Sequence, residues 1–285
     1  MSTATADRTT APDAAPKEVT KAAARAVGAV AGAGKSAVQT VGKSAVQAAT
    51  TDTRPPKAVA KAVLPPRVAV RRSRVAEIAA IAGIVGFATL LVLVRLDRTK
   101  AFDAAVTLKV QARRHPTIDA AMTVASWPGF PPQSRVIPPA IIAGLVALGL
   151  RIEALCQTVA WGTALVSTVV KAFMGRQRPV AGTDLRVVAA PLGGSSFPSG
   201  HVLTYVGTYG FLAVLAEALI RPVALRRAIV GGLVALVALV GPSRIQQGHH
   251  WPTDVSASYL LGTTYLVGVV ELYRRLKARG AGVRP

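Results

Sequence analysis

The chain has 285 residues, 51% of them hydrophobic, and a formal net charge of +21. A soluble protein combines these properties poorly, and the apolar residues lie in runs near the length that crosses a hydrocarbon core of about 30 Å. We therefore exclude an ordinary water-soluble domain and predict an all-α, multi-pass membrane protein. The single cysteine, Cys156, lies within an apolar run, so it is interpreted as a buried apolar residue and not as half of a disulfide.

Residues 1–74 are basic and rich in Ala, Lys and Pro, with few residues that would form a packed core. A Gly-Lys-Ser repeat at 34–36 and 42–44 resembles the end of a phosphate-binding loop. The glycine that this loop requires five positions before its second glycine is replaced by Ala29 and Ala37, so no nucleotide site is predicted. We predict a partly helical or disordered cytoplasmic tail, with contact to anionic lipid as the functional alternative and no nucleic-acid partner.

Six apolar segments follow the tail and are predicted to span the membrane as a helical bundle. The first runs from Val75 to Val94 and is closed by Arg95. Residues 96–135 are charged and rich in turn residues, which predicts a loop with an amphipathic helix; His115 within it is interpreted as exposed and without function. The other spans are about 136–150, 153–174, 202–220, 227–242 and 255–271. The membrane domain is therefore predicted at 75–272, with a short basic tail at 273–285.

Basic residues before the first span and after the second, fourth and sixth spans fall on one side of this topology. The positive-inside rule makes that side cytoplasmic and predicts that both termini lie there. The loop at 96–135, the loop at 175–201 and the stretch from Ser243 to Asp254 are then extracytoplasmic.

Three polar clusters come together on this extracytoplasmic face. They are 171–179, with Lys171 and Arg178; 198–201, which reads Pro-Ser-Gly-His; and 243–254, with two of the four histidines of the chain. Charged residues at the ends of apolar segments are costly and usually functional. Cations, hydrogen-bond donors and histidines outnumber carboxylates, so we expect an anionic substrate.

Phosphoryl transfer suits this set of residues, because its transition state spreads negative charge over oxygens that fixed donors must hold. Lys171, Arg178 and Arg244 are predicted to grip those oxygens, the arginines in bidentate fashion. Ser199 and Gly200 lie at the expected start of the fourth helix, where backbone amides and the helix dipole favour a phosphate.

His250 and Asp254 are four residues apart, which places them on one helix face. The carboxylate would orient the imidazole while its other nitrogen attacks phosphorus, and His201 would protonate the leaving oxygen and later activate water. The neighbouring His249 is interpreted as an interfacial residue beside the site. For Arg176 two interpretations stay open, a substrate contact and a side chain that reaches the lipid headgroups.

Lys-x6-Arg-Pro, Pro-Ser-Gly-His and Ser-Arg-x5-His-x3-Asp, in this order, resemble the type 2 phosphatidic acid phosphatase (PAP2) superfamily, which also contains vanadium haloperoxidases and bacterial acid phosphatases. The resemblance covers Lys171 to Asp254 and, more loosely, all six spans. It implies a metal-independent phosphatase without a cofactor, which works through a phosphohistidine intermediate. The implied roles are phosphate binding for Lys171, Arg178, Ser199, Gly200 and Arg244, acid for His201, nucleophile for His250, and partner of the nucleophile for Asp254.

The sequence as a whole predicts a membrane enzyme that hydrolyses a lipid phosphate or diphosphate, with polyprenyl diphosphate, phosphatidate and phosphatidylglycerol phosphate as equal candidates. An anion or lipid transporter is the rival from another class, disfavoured because the clusters lie at helix ends and not at the midplane. An inactive lipid-binding relative is disfavoured because every motif residue is present. A haloperoxidase is disfavoured by the membrane spans.

Overall fold

The computed structural model describes residues 66–112, 115–180, 185–187 and 193–280. Most of the predicted N-terminal tail, and residues 281–285 of the C-terminal tail, lie outside the described residues. Within the described ranges the chain forms nine α-helices and one 3₁₀ turn and has no strand, which confirms the all-α prediction. The helices are α1 (Pro66–Arg95), α2 (Lys100–Ala112), α3 (Pro116–Ser126), α4 (Gln133–Ala147), α5 (Arg151–Trp161), α6 (Thr163–Met174), α7 (Gly200–Leu219), α8 (Val223–Gln246) and α9 (Pro252–Gly280).

Four segments of the described chain are long and apolar enough to cross a membrane: Arg74–Arg95 in α1, all of α7, all of α8, and Pro252–Arg279 in α9. The second predicted span corresponds to α4, which is apolar but has only 15 residues. The third is divided into α5 and α6 at Gly162. Membrane crossing by α4 and by the α5–α6 pair, and with it the number of six spans, stays a prediction.

The segment at 96–135 is more ordered than its composition suggests. It folds into α2, α3 and the 3₁₀ turn Trp127–Gly129, where one amphipathic helix was expected. The buried residues of α2 are polar, namely Asp103, Thr107 and Gln111, so the helix hides a polar stripe that a hydropathy pattern does not reveal. His115 is exposed, as predicted, and its Nδ1 accepts the amide of Thr117 at the start of α3.

The helix α7 is the centre of the bundle and packs against α5, α6, α8 and α9. Its buried residues lie on all sides of the helix, which is expected of a helix surrounded by others. A Cβ atom at Gly207 would collide with the carbonyl of Ala160 and with the side chain of Thr163, so α7 crosses the α5–α6 junction at close range. Cys156 lies in the apolar core beside α7, buried as predicted.

This close crossing places the beginning of α7 beside the end of α6. A Cβ atom at Gly200 would lie 3.8 Å from Cε of Lys171 and 3.2 Å from Oγ of Ser167. Two of the three polar clusters, from separate parts of the sequence, are thereby brought into contact at one end of the bundle.

Candidate active site

The loop after α6 joins the three predicted clusters. Nζ of Lys171 donates a 2.7 Å hydrogen bond to the carbonyl of Ser195, and Nη2 of Arg178 donates to the same oxygen at 3.3 Å. Nη1 of Arg178 lies 3.2 Å from Nε2 of His250. The end of α6, the segment before α7 and the turn between α8 and α9 therefore form one site.

The turn between α8 and α9 carries the third cluster, and α2 fixes it from the side. At the end of α8, where the carbonyls lack the amide four residues later, Nε2 of Gln111 donates to the carbonyls of Ile245 (3.3 Å) and Gln246 (3.2 Å). Gly248 then takes φ of +70°, and a Cβ atom there would collide with the carbonyl of Arg186, so glycine is required on both grounds.

The beginning of α9 is held in the same way. Pro252 is the first helical residue, and Oδ2 of Asp254 reaches back to accept the amide of Trp251 at 2.9 Å. Oδ1 of Asp103, from α2, accepts the next free amide, that of Thr253, at 2.9 Å. The polar stripe of α2 thus supports the turn that carries His249 and His250.

Neither Asp103 nor Gln111 was identified from the sequence. Their only sequence signal is the spacing of polar residues at 103, 107 and 111, four apart on one face of a short helix. Their side chains contact residues 73 to 150 positions away, so no local pattern connects them.

His250 is buried between an acceptor and a donor, and this pair defines its tautomer. Its Nδ1 lies 2.7 Å from the carbonyl oxygen of Ser196, which can only accept, and its Nε2 faces the guanidinium of Arg178, which can only donate. We assign the proton to Nδ1, so Nε2 carries the lone pair. Burial, followed by the charges of Arg244, Arg178 and Lys171, holds the pKa of His250 well below its ordinary value and keeps the imidazole neutral.

Asp254 is near His250, as the four-residue spacing predicts, but the two side chains are not joined by a hydrogen bond. Its Oδ2 is 3.7 Å from Nδ1 of His250, which is too far for a hydrogen bond. The N–H group of Nδ1 donates to the carbonyl of Ser196 instead. Oδ1 of Asp254 accepts from Nη1 of Arg176 at 2.5 Å. The Asp254 carboxylate is paired with Arg176, and the backbone carbonyl of Ser196 fixes the tautomer of His250.

Arg176 fits neither of its two predicted interpretations. Its Nη2 donates to Oδ2 of Asp103 at 2.6 Å, while its Nη1 pairs with Asp254, so the guanidinium joins two buried carboxylates. An arginine between two carboxylates is already saturated with acceptors. We therefore interpret Arg176 as the ion-pair partner that holds α2 and α9 together behind the site.

Arg244 has the opposite environment. Its side chain is fully buried, with 0% exposure, and no carboxylate of the described residues lies within ion-pair distance. Nη1 donates to Oε1 of Gln247 at 2.8 Å and to Oγ of Ser126 at 3.4 Å, and the ring of Phe130 lies 4.8 Å below the guanidinium carbon. A buried cation without a counter-ion costs several kcal/mol, so this environment favours the arrival of an anion.

His249 is not the interfacial residue that was expected. It is 2% exposed, its Nδ1 contacts Nη2 of Arg244, and its carbonyl accepts from Nη1 of Arg178 at 2.8 Å. Burial, with the charges of Arg244 and Arg178, lowers the pKa of His249 to about 3. Both histidines of the turn are therefore neutral at physiological pH and lie inside the site.

The start of α7 differs in one detail from the prediction. The amide of Ser199 donates to Oγ of Ser258 at 2.7 Å, so this amide is occupied and does not face the site. The hydroxyl of Ser199 and the first-turn amides of α7, beginning with Gly200, are the donors that remain. His201 packs its ring edge-on against Phe130, 4.8 Å between centroids, and a Cβ atom at Gly129 would collide with it.

Unpaired polar atoms are concentrated at this end of the bundle. Among the described residues, six buried atoms around the site have no hydrogen-bond partner: Oγ of Ser167, Nε of Arg178, Oγ of Ser199, Nε2 of His201, Nε of Arg244 and Nε2 of His249. Buried polar atoms are nearly always paired in proteins, so a group of this size indicates a binding site for a ligand rich in acceptors. A phosphoryl group, with its oxygens, is such a ligand.

No group of three His, Cys, Asp or Glu side chains is arranged as metal ligands within the described ranges. The predicted independence of a metal is a separate matter and stays a prediction.

Comparison with known proteins agrees with the motifs. Residues 153–278 match the PAP2 superfamily. The structure is similar to the crystal structure of the first transmembrane PAP2 type phosphatidylglycerolphosphate phosphatase from Bacillus subtilis, with a TM-score of 0.57 and 22% identity over 68% of this chain and 94% of that one. Aquifex aeolicus LpxE has a TM-score of 0.45 and 21% identity, over 60% of this chain and 95% of that one. No curated protein matches the sequence. At these identities the Bacillus structure shows a shared fold.

Proposed function

We propose, from the premise that this chain belongs to the PAP2 superfamily through residues 153–278, that it is a membrane phosphatase acting on a lipid phosphate or diphosphate. The candidate substrates are polyprenyl diphosphate, phosphatidate and phosphatidylglycerol phosphate. The observation that carries this proposal is the environment of His250, a neutral imidazole whose Nε2 lone pair lies 3.2 Å from the guanidinium of Arg178.

The first step is the attack of Nε2 of His250 on phosphorus. A nitrogen–phosphorus bond forms, the bond from phosphorus to the leaving oxygen breaks, and the charge on the phosphoryl oxygens is held by Lys171, Arg178 and Arg244. The hydrogen bond from Nδ1–H to the carbonyl of Ser196 keeps the proton on Nδ1, so Nε2 is the nucleophilic atom. The charge of Asp254 stabilises the imidazole as it becomes positive.

His201 supplies and takes back the proton. A phosphate dianion next to His201 favours the protonated imidazole, which donates to the leaving oxygen of the lipid. In the second step a water molecule gives its proton to His201 and attacks phosphorus, which releases inorganic phosphate and restores His250. His201 and the nucleophile come from different helices, α7 and the turn before α9, so they are able to lie on opposite sides of the phosphoryl group.

An apolar groove supports a lipid as the substrate. It has a volume of about 750 Å³ and lies between α7, α8 and α9, three of the helices whose ends contribute to the site. Val206, Val237, Tyr259 and Leu266 are among its lining residues. A hydrocarbon chain in this groove would leave the headgroup at the polar end of the bundle. The distribution of basic residues supports a position of the site on the extracytoplasmic face, with both termini in the cytoplasm.

The test is phosphate release by the purified full-length protein in detergent. We expect hydrolysis of at least one of the three lipids in the presence of a metal chelator, and a loss of about 10³-fold or more in kcat in His250→Ala, because a nucleophile has no substitute. A labelled phosphate on the wild-type protein, stable in base and labile in acid, is expected for a phosphohistidine. Full activity of His250→Ala would contradict the mechanism, and loss only in His249→Ala would assign the nucleophile to the other histidine.

A further inference from the structure

Within the described chain, Arg244 is held in place by uncharged neighbours alone. An arginine side chain has many rotamers, and a buried one without a carboxylate has no strong partner to select among them. In this site Nη1 is fixed by Gln247 and Ser126, and the face of the guanidinium lies on Phe130. The remaining contact, on Nη2, comes from Nδ1 of His249.

The contact with Arg244 determines the tautomer of His249. A guanidinium nitrogen only donates, so Nδ1 of His249 must be the acceptor and the proton must lie on Nε2. His250, one residue later, has the reverse arrangement, because its Nε2 faces Arg178 and its Nδ1 faces a carbonyl. Two adjacent neutral histidines therefore hold opposite tautomers, each selected by a different neighbour.

The acceptor role of His249 depends on its being neutral. A protonated imidazole would present an N–H group and a positive charge to Arg244, and the contact would become repulsive. The low pKa of His249 follows from burial beside two arginines, so the neutral form is maintained through the physiological range. The carbonyl of the same residue accepts from Arg178, so His249 is in contact with both arginines of the site.

We infer that His249 is a positioning residue, whose Nδ1 orients the guanidinium of Arg244 toward the phosphoryl oxygens. This inference rests on the proposed function, because it takes Arg244 as a ligand of the substrate phosphate. Gln247 and Ser126 occupy Nη1, and His249 takes one hydrogen of Nη2, so the donors left for a substrate are the unpaired Nε–H and the other hydrogen of Nη2. Two donors of one guanidinium are able to bind two oxygens of one phosphoryl group.

Three substitutions of His249 distinguish the effect of its hydrogen-bond acceptor, Nδ1, from the effect of the size of its side chain. His249→Asn places its amide oxygen near the position of Nδ1 and retains the acceptor. His249→Gln extends its amide toward the position of Nε2 and leaves Nη2 of Arg244 without a partner. His249→Val removes both polar atoms. If the valine variant does not fold, the asparagine and glutamine variants make the same comparison between two polar side chains.

The probe is orthovanadate, an anion that resembles phosphate and the transition state of its transfer, and its binding to the full-length protein in detergent is measured by calorimetry. We expect His249→Asn to bind within about threefold of wild type, and His249→Gln and His249→Val to bind about 10- to 100-fold more weakly, as for loss of a hydrogen bond to a charged group. With lipid substrate, the same two variants should lose kcat more than they raise KM, because Arg244 acts on charge that develops in the transition state.

The outcomes separate this inference from the proposed function. Wild-type affinity for vanadate in His249→Val, or in His249→Gln, overturns the inference, as does an asparagine variant as weak as the glutamine variant. If the variants bind vanadate in the expected order but the wild-type protein hydrolyses none of the lipids, the role of His249 is supported and the proposed lipid phosphatase activity is overturned. Absence of vanadate binding by the wild-type protein overturns both.

Discussion

The two ends of the bundle both bury charged residues, but they treat the charges differently. At the end opposite the site, the carboxylate of Glu153 is 2% exposed and is satisfied by Nζ of Lys277 at 2.6 Å and the hydroxyl of Tyr273 at 3.1 Å. At the site end, Arg244 is at least as buried and no carboxylate of the described chain pairs with it. A buried charge that is paired with an opposite charge of the same protein connects helices. A buried charge that has only uncharged partners is available to a ligand.

Arg176 shows that position alone does not distinguish the two kinds of charge. It lies in the same motif as Lys171 and Arg178, yet it pairs with Asp103 and Asp254 and so resembles Glu153 more than it resembles Arg244. The pairing, and not the place in the sequence, separates charges that stabilise the fold from charges that bind substrate. Substitutions of Arg244, Arg176 and Glu153 test this difference.

Arg244→Met is expected to reduce kcat/KM by about 10²- to 10³-fold, the usual cost of removing a donor that stabilises charge in a transition state. The melting temperature in detergent should stay the same or rise, because the substitution removes a buried cation that has no counter-ion. Steady-state kinetics and thermal unfolding of the same preparation measure the two effects. A strongly lowered melting temperature with unchanged kinetics would place Arg244 among the stabilising charges.

Arg176→Met should have the reverse pattern in stability. It leaves Asp103 and Asp254 buried without a cation, and the expected cost is about 3–5 kcal/mol of unfolding free energy. Addition of Asp103→Asn in the same chain should restore part of the melting temperature, because one of the two unpaired charges is removed. If Arg176→Met unfolds at the wild-type temperature, the assignment of Arg176 to the stabilising class is wrong.

Glu153→Gln is the matched change at the other end of the bundle. Loss of the charge weakens the contacts with Lys277 and Tyr273, and the expected cost is about 1–2 kcal/mol, since Lys277 is half-exposed and is able to turn toward solvent. The kinetic constants should remain within about twofold of wild type, because Glu153 is remote from the phosphate ligands. A change of kcat comparable to that of Arg244→Met would show that the two ends are coupled.

The sequence was informative wherever the signal is local or carried by a motif. The apolar runs predicted an all-α membrane protein, and four of them correspond to helices of sufficient length and apolarity. The motifs identified Lys171, Arg178, His201, Arg244 and His250, and these residues come to the same end of the bundle. Their roles in catalysis are part of the proposed function.

Hydropathy was less informative where a helix is short or interrupted. The third predicted span is one apolar run, but its helix is broken at Gly162, beside the crossing of α7 over the α5–α6 junction. The segment at 96–135 was expected to be mostly loop because its buried residues are polar. Both differences have the same cause, since the packing partner of each segment is remote in the sequence.

By itself, the sequence of this protein determined the class of fold and the set of residues available for chemistry, because apolar run length and motif spacing are properties of the chain. Tertiary structure alone decided which of those residues remain unpaired. Asp103 and Asp254 meet Arg176, Ser258 occupies the amide of Ser199, and the two histidines at 249 and 250 adopt opposite tautomers. A hydrogen bond depends on the position of both partners to within a few tenths of an ångström, and these partners come from different helices whose relative placement is set by packing.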